Sequence, residues 1–434
     1  MNETVIVIVL MILLLGLFVS GIELAFAMAI IGVAGWTWIS SFQVAIDVLT
    51  NDFFESLASY SLTVVPLFIL MGQIAFNAGI AKKLFDCAHK FLGHIAGGLA
   101  IATVAGATIF KSICGSAVAT SATFASVAVP EMDRFKYSRK LSTGIVAIAG
   151  TLGNFIPPSV ILIVFGISTQ LSISKLFMAG LIPGLILAFC FGAVAHGWCR
   201  IDPTLGPRAD KFPWKERMAS LPVNLWPLGI FIVIIGGLTI GVFSPTEAGS
   251  IGAFSVLALC VIKRDLNFRG FVKSIEEAMS TAGMFLLLVA SSAVLGHFFA
   301  ASNISAVLSE WVATLPVHRA VIMSLIMVIY LLGGSFIDDL AFMLLATPVF
   351  FPIILKLGYD PYWAGIMIAG FTIAIGSVIP PVAICVFVVK NVTKEPMGVI
   401  YRGVIPFVIP LLLCIVLLFV FPELATWLPR VLAK

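Results

Sequence analysis

What most limits the folds open to this chain is a succession of long apolar runs, spaced too closely to bury one another in water. Punctuated by Gly, Pro and charge clusters, they fall near residues 5–20, 22–40, 61–79, 97–130, 139–171, 174–198, 222–243, 246–262, 279–300, 319–355, 361–391 and 399–422. Of the 434 residues only 11% are charged, under half the roughly 25% usual in soluble domains, which excludes a soluble enzyme. An all-α polytopic membrane protein, with the lipid bilayer as its surroundings, is the class that remains. The net charge of +4 is too small and too scattered for a nucleic-acid partner. The seven cysteines form no CxxC pair and the five histidines no HxxxH or HExxH spacing, so both read as packing residues and imply neither a transition metal nor a cofactor. No basic n-region precedes the first run, since the first lysine is Lys82, and the first helix is read as retained rather than cleaved.

Two runs, 97–130 and 319–355, are interrupted by Cys114-Gly115-Ser116 and by Gly333-Gly334-Ser335. Each piece then has about 15 residues and spans about 22 Å, short of the roughly 30 Å hydrocarbon core. Such a segment is expected to enter, turn at its Gly-Ser tip and leave on its original side, a re-entrant hairpin whose exposed backbone needs protein or water around it. With both runs read as hairpins of opposite orientation, 18 of the 25 basic residues fall on one side, including Lys82, Lys83, Arg139, Lys140, Arg217, Lys263 and Lys390; the positive-inside bias makes that side cytoplasmic.

The two halves resemble each other. Ser20-Gly21-Ile22-Glu23 is echoed by Ser244-Pro245-Thr246-Glu247, Ile156-Pro157-Pro158 by Ile379-Pro380-Pro381, and Gly180, Ile182 and Pro183 by Gly403, Ile405 and Pro406, in order and at nearly one offset. Internal repetition of this kind marks transporters built from inverted repeats. The expected organisation is two inverted-topology repeats, each with three helices, a re-entrant helical hairpin, a Pro-Pro-broken helix and a final helix. Scaffold helices and an arm occupy 1–96 and 222–318. The hairpin, broken helix and last helix of each repeat occupy 97–198 and 319–434, and 199–221 forms a cytoplasmic linker.

The chemistry is expected where hairpin and break meet. Proline has no N–H and disfavours helix in the residue before it, so Gly153-Asn154-Phe155-Ile156-Pro157-Pro158 and Gly376-Ser377-Val378-Ile379-Pro380-Pro381 should open in mid-membrane and free backbone carbonyls. Carbonyls at the end of a helix carry partial negative charge and suit a small hard cation such as sodium; Gly115, Ser116, Gly153, Asn154, Gly333, Gly334, Ser335, Asp338, Gly376 and Ser377 are the candidates for two such sites. The second arm of each hairpin and the second half of each broken helix begin at N-termini, whose free N–H groups attract an anion. Ser116, Thr120, Asn154, Ser335 and Ser377 are the hydroxyl and amide groups placed to orient a carboxylate; in membranes the same residue types also serve to satisfy a helix backbone. Charged groups at membrane depth are functional candidates by default. Asp338 and Asp339 can bind a cation, relay a proton or cap the second arm, Lys111 can pair with an anion or snorkel, and Arg402 fits an interfacial anchor.

The residues resemble the large membrane subunit of TRAP (tripartite ATP-independent periplasmic) transporters over essentially the whole chain. The resemblance is carried by Pro66-Leu67-Phe68-Ile69-Leu70-Met71-Gly72, by Gly115-Ser116-Ala117-Val118-Ala119-Thr120 with Val129-Pro130-Glu131-Met132, and by Gly150-Thr151-Leu152-Gly153 leading into Ile156-Pro157-Pro158-Ser159. Ser172-Ile173-Ser174-Lys175-Leu176-Phe177, Gly180-Leu181-Ile182-Pro183-Gly184 and Pro245-Thr246-Glu247-Ala248-Gly249 add to it. The resemblance implies a bacterial inner-membrane protein that takes up a carboxylate-bearing solute (a C4-dicarboxylate, sialic acid or related organic acid) by an elevator motion, with Na+ as coupling ion. It implies two partners as well, a periplasmic substrate-binding protein and a small four-helix membrane subunit. The chain departs from the family at Ile379, where a Thr is usual, at Ala383, where a Gly is usual, and at Lys111, where the family commonly has a small apolar residue. The loss of the Thr hydroxyl bears on the second cation site.

A stand-alone sodium and anion symporter of similar repeat architecture would instead need no binding protein, and an ion channel would conduct without saturation. An intramembrane aspartyl enzyme is disfavoured because Asp338 and Asp339, adjacent on a helix, point about 100° apart.

Overall fold

In hydrocarbon a backbone must satisfy its own N–H and C=O groups, so apolar runs of this length become helices. The computed structural model describes residues 3–336 and 338–432, and every regular element among them is helical. Eight helices are long and apolar enough to cross a membrane: Tyr60–Asn77, Ile173–Ile201, Trp214–Ile240, Pro245–Ile262, Phe268–Ala301, Arg319–Phe336, Asp339–Lys356 and Met397–Val420. Val9–Val19, Leu24–Ile39, Gly98–Cys114, Pro361–Gly376 and Ile384–Thr393 are shorter apolar helices.

Glycines set how closely these helices approach. Gly32 and Gly35 bring Leu24–Ile39 against Phe268–Ala301, and a Cβ at Gly35 would stand 2.5 Å from the Phe298 ring. Gly72 brings Val64–Asn77 to the first hairpin, where a Cβ would meet the Cys114 carbonyl oxygen at 2.6 Å. Lipid offers no hydrophobic drive between helices, and small residues of this kind let backbones touch and gain dispersion contacts.

Both interrupted runs are helical hairpins whose arms pack on each other: Gly98–Cys114 with Ala117–Arg134, and Arg319–Phe336 with Asp339–Lys356. Arms of 17 and 18 residues are longer than expected and reach about 25 to 27 Å. The first tip lies where the sequence places it, with Gly115 at φ +66 and Ser116 capping the second arm. The second tip does not. Gly333, Gly334 and Ser335 are helical; the first arm runs on to Phe336 and the second starts at Asp339 with Asp338 as its cap. Two physical reasons account for the shift. Asp338 is a stronger start signal than Ser335, accepting from the Leu340 and Ala341 N–H groups, both at 3.1 Å. The two glycines make room across the hairpin rather than a turn, Gly333 for the Phe342 ring and Gly334 for Asp339.

Four helices carry too little apolar sequence to stand out as runs: Phe42–Ala58, Ile80–Leu92, Ile304–Thr314 and Glu423–Leu432. Ser41 starts the first of them, its hydroxyl accepting from Val44 N–H at 3.3 Å. Within 199–221 the preceding helix continues to Ile201 and a short helix, Trp214–Ser220, follows. All seven cysteines are free.

Candidate functional site

The end of each hairpin's first arm is joined by a backbone hydrogen bond to the broken helix that follows it. In the first half, Arg139–Thr151 ends in a 3-10 turn, Leu152–Asn154, and helix resumes at Val160–Ser168 with Ser159 as its cap. The Val160 N–H donates to the Gly115 carbonyl at 3.5 Å. In the second half, Pro361–Gly376 stops and helix resumes at Ile384. There the Val382 N–H donates to the Ser335 carbonyl at 3.0 Å. In an unbroken helix the carbonyls of Gly153 and Asn154 would receive N–H groups from residues 157 and 158, and those of Gly376 and Ser377 from residues 380 and 381; all four donors are prolines. The Asn154 carbonyl receives the Ser159 hydroxyl at 3.3 Å instead, and that of Ser377 the Cys385 N–H at 3.0 Å. Gly153 and Gly376 are thus the positions where a break frees a carbonyl. The first break meets the helix leading into the second, with the Phe155 and Phe371 ring centroids 4.5 Å apart. A π-helical stretch, Ile366–Thr372, lies just before the second break.

Between the two tip-and-break pairs lies a cavity of about 440 Å³. Gly115, Ser116, Asn154, Asp338 and Ser377 line it, as the sequence reading expects. Thr120, Ser335, Gly153, Gly334 and Gly376 are buried just behind that wall, and Gly333 sits within the hairpin against Phe342. Ser116 is occupied as a cap, accepting from Ala119 N–H at 3.3 Å; the Ser335 and Ser377 hydroxyls donate to carbonyls of their own helices, at 2.7 and 3.0 Å. Thr120 Oγ1 and Asn154 Nδ2 have no partner, so of the five candidate ligand-orienting groups these two hold free hydrogen-bonding capacity in the protein interior.

Gln73, Glu277 and Thr281 close the opposite side of the cavity, and the sequence reading passed over all three. Glu277 is held by Asn77, whose Nδ2 donates to Glu277 Oε2 at 3.1 Å and to Ser274 Oγ at 3.0 Å. The available signal was a carboxylate just ahead of the run at 279–300, one turn from a threonine on the same helix.

The two aspartates divide the roles left open for them. Asp338 caps the second arm with one oxygen. Asp339 is 9% exposed and its Oδ1 has no hydrogen-bond partner; the same oxygen stands 2.9 Å from where a Cβ would be at Gly334 and at Gly376. Lys111 is wholly buried rather than snorkelling, and its Nζ also has no partner. The capping role makes a separable prediction. Asp338→Ala is expected to lower stability by about 1 kcal/mol, read as a fall in melting temperature, whereas Asp338→Asn retains the cap and changes little; equal losses in the two variants would contradict it.

A chain with this cavity, ringed by hairpin tips and proline breaks, can be compared with known proteins. Residues 6–424 match the family described as the tripartite ATP-independent periplasmic transporter, DctM component. The chain belongs to this family. It is 32% identical over 383 residues, 88% of this chain and 89% of the relative, to the C4-dicarboxylate TRAP transporter large permease protein DctM of Pseudomonas aeruginosa. It is also 32% identical over 412 residues, 95% and 96% of the two chains, to the 2,3-diketo-L-gulonate TRAP transporter large permease protein YiaN of Escherichia coli. The sialic acid TRAP transporter large permease protein SiaM of Vibrio cholerae is 29% identical over 418 residues, 96% of each chain. Among solved structures, the Alcanivorax borkumensis YdaH transporter aligns with a TM-score of 0.66 at 14% identity, over 90% of this chain and 89% of that one. MtrF of Neisseria gonorrhoeae aligns at 0.61 and 14%, over 88% and 84%; at such identities the likeness is one of fold. The chain is therefore a multi-pass protein of the bacterial inner membrane, in a family of transporter permeases rather than enzymes.

Proposed function

We propose that this DctM-family chain is the translocating subunit of a sodium-coupled TRAP system that takes up an organic acid anion. The observation that carries the reading is the pair of hydrogen bonds from each break to the end of a hairpin's first arm around one shared cavity, Val160 to Gly115 and Val382 to Ser335. At about 440 Å³ the cavity is in the range for small ligands. The helices that start at Ala117 and Val160 begin at its wall, where helix N-termini suit a carboxylate, with Thr120 and Asn154 nearby to orient it. The named solutes of the relatives, a C4-dicarboxylate, a diketogulonate and sialic acid, are organic acids. The breaks at Gly153 and Gly376 supply carbonyl-lined places for cations, and Asp339 supplies a charge at the second.

In this reading the halves are inverted repeats. Residues 97–198 and 319–434 move together as the transport part against the scaffold of 1–96 and 222–318, carrying cavity and cations in one elevator step. Solute comes from a periplasmic binding protein, and a small membrane subunit packs on the scaffold. The test is uptake into proteoliposomes holding this chain and its small subunit, scanned over organic acids. Uptake is expected to need an inward sodium gradient and added binding protein. Undiminished uptake without the binding protein would identify a stand-alone symporter instead, and saturable uptake indifferent to sodium would remove the coupling.

A further inference from the structure

The two breaks are alike in backbone and opposite in charge. At the second, the glycine whose carbonyl a proline leaves free, Gly376, faces the carboxylate of Asp339. At the first, the corresponding Gly153 faces the side-chain end of Lys111: a Cβ built on Gly153 would fall on the Lys111 ammonium, with Cδ 2.8 Å away. Only glycine leaves that space. The lysine projects from the last turn of the first arm, just before the tip, where helix carbonyls are unpaired and carry partial negative charge.

Burying an ammonium at membrane depth without compensation costs several kcal/mol. Among the described residues no carboxylate compensates this one. The titratable groups around Lys111 are the thiols of Cys114 and Cys385, and it makes no ion pair. Its Nζ lies against Gly153, beside the end of the first arm and the first break, and takes up the space there without a hydrogen-bonded oxygen of its own. A sodium ion and this ammonium are therefore rivals for one place, and the ammonium is tethered there. At the second break the charge is reversed, so Asp339 must draw its positive partner from solution.

We propose that Lys111 is a resident cation: its ammonium occupies the cation site of the first tip and break, leaving the second, at Asp339 and Gly376, to take the transported sodium. The chain then binds one coupling ion fewer than its two tip-and-break pairs offer. The proposal rests on the sodium-coupled reading above and assigns its stoichiometry.

The test counts ions directly and needs no knowledge of the solute. Equilibrium binding of radioactive sodium is measured on the full chain with its small membrane subunit in lipid nanodiscs, for the natural protein and for Lys111→Ala. One ion bound by the natural protein and two by Lys111→Ala is the expected result, because removing the ammonium vacates the first site. Two ions in the natural protein, or the same number in both, overturns the proposal while leaving sodium coupling intact. No ion in either removes the sodium reading itself and the inference with it. Should Lys111→Ala fail to fold, the count in the natural protein decides alone, one in favour and two against.

Discussion

Asp339→Asn is expected to raise the sodium concentration for half-maximal uptake by about tenfold to about 150-fold, the equivalent of losing one contact to a charged group worth about 1.5–3 kcal/mol. The carboxylate is almost fully buried, its Oδ1 lacks a hydrogen-bond donor, and that oxygen stands over Gly334 and Gly376. Neighbouring Asp338 is committed to the Leu340 and Ala341 N–H groups and is no source of positive charge. In the sodium-coupled reading this carboxylate is offset by the coupling cation, and the nearest break supplies further oxygen ligands. Asparagine keeps the shape and removes the charge. The measurement is the sodium dependence of uptake at saturating solute, with melting temperature followed in parallel. Folding is expected to hold or improve, since a buried charge is gone. A half-saturation within twofold of the natural protein would falsify the assignment of Asp339 to the ion.

Gly403→Val is expected to destabilise by about 3 kcal/mol or more, above the usual range for overpacking, and to deplete folded protein in the membrane. Gly403, in Met397–Val420, and Gly144, in Arg139–Thr151, meet backbone to backbone. A Cβ at Gly403 would stand 2.9 Å from the Lys140 carbonyl carbon and 3.0 Å from Gly144 Cα. Those atoms belong to a helix that cannot yield as a flexible side chain would, so the two helices must separate and lose packing along their whole contact. Gly398→Val, on the same helix with nothing within 4 Å, is the control and should stay within about 0.5 kcal/mol of the natural protein. Comparable melting temperatures for the two variants would refute the close crossing.

How legible the molecule was differs from element to element. The first tip could be read because two local signals coincide, a glycine able to take positive φ and a serine able to cap, at Gly115 and Ser116. At the second tip the same kinds of signal separate. Gly333 and Gly334 read as a break, yet they serve close approach within a helix, and the start signal belongs to Asp338. Local chemistry does not say whether a glycine is there to turn the chain or to admit a neighbour, because the neighbour is remote in sequence. Helices such as Phe42–Ala58 stayed hidden for another reason: a half-polar helix lacks the uninterrupted run on which a membrane reading depends.

From sequence alone came the lipid environment, the helical class and the two proline breaks, which follow from backbone hydrogen bonding in hydrocarbon and the missing N–H of proline, and the family likeness, which rests on matching motifs. Only the tertiary structure decided that Asp339 faces the second break while Asp338 caps a helix, that Glu277 and Gln73 close the cavity, and that Lys111 lies against Gly153. Those outcomes depend on which distant helices share a face, and that is set by packing between segments whose local patterns are nearly the same.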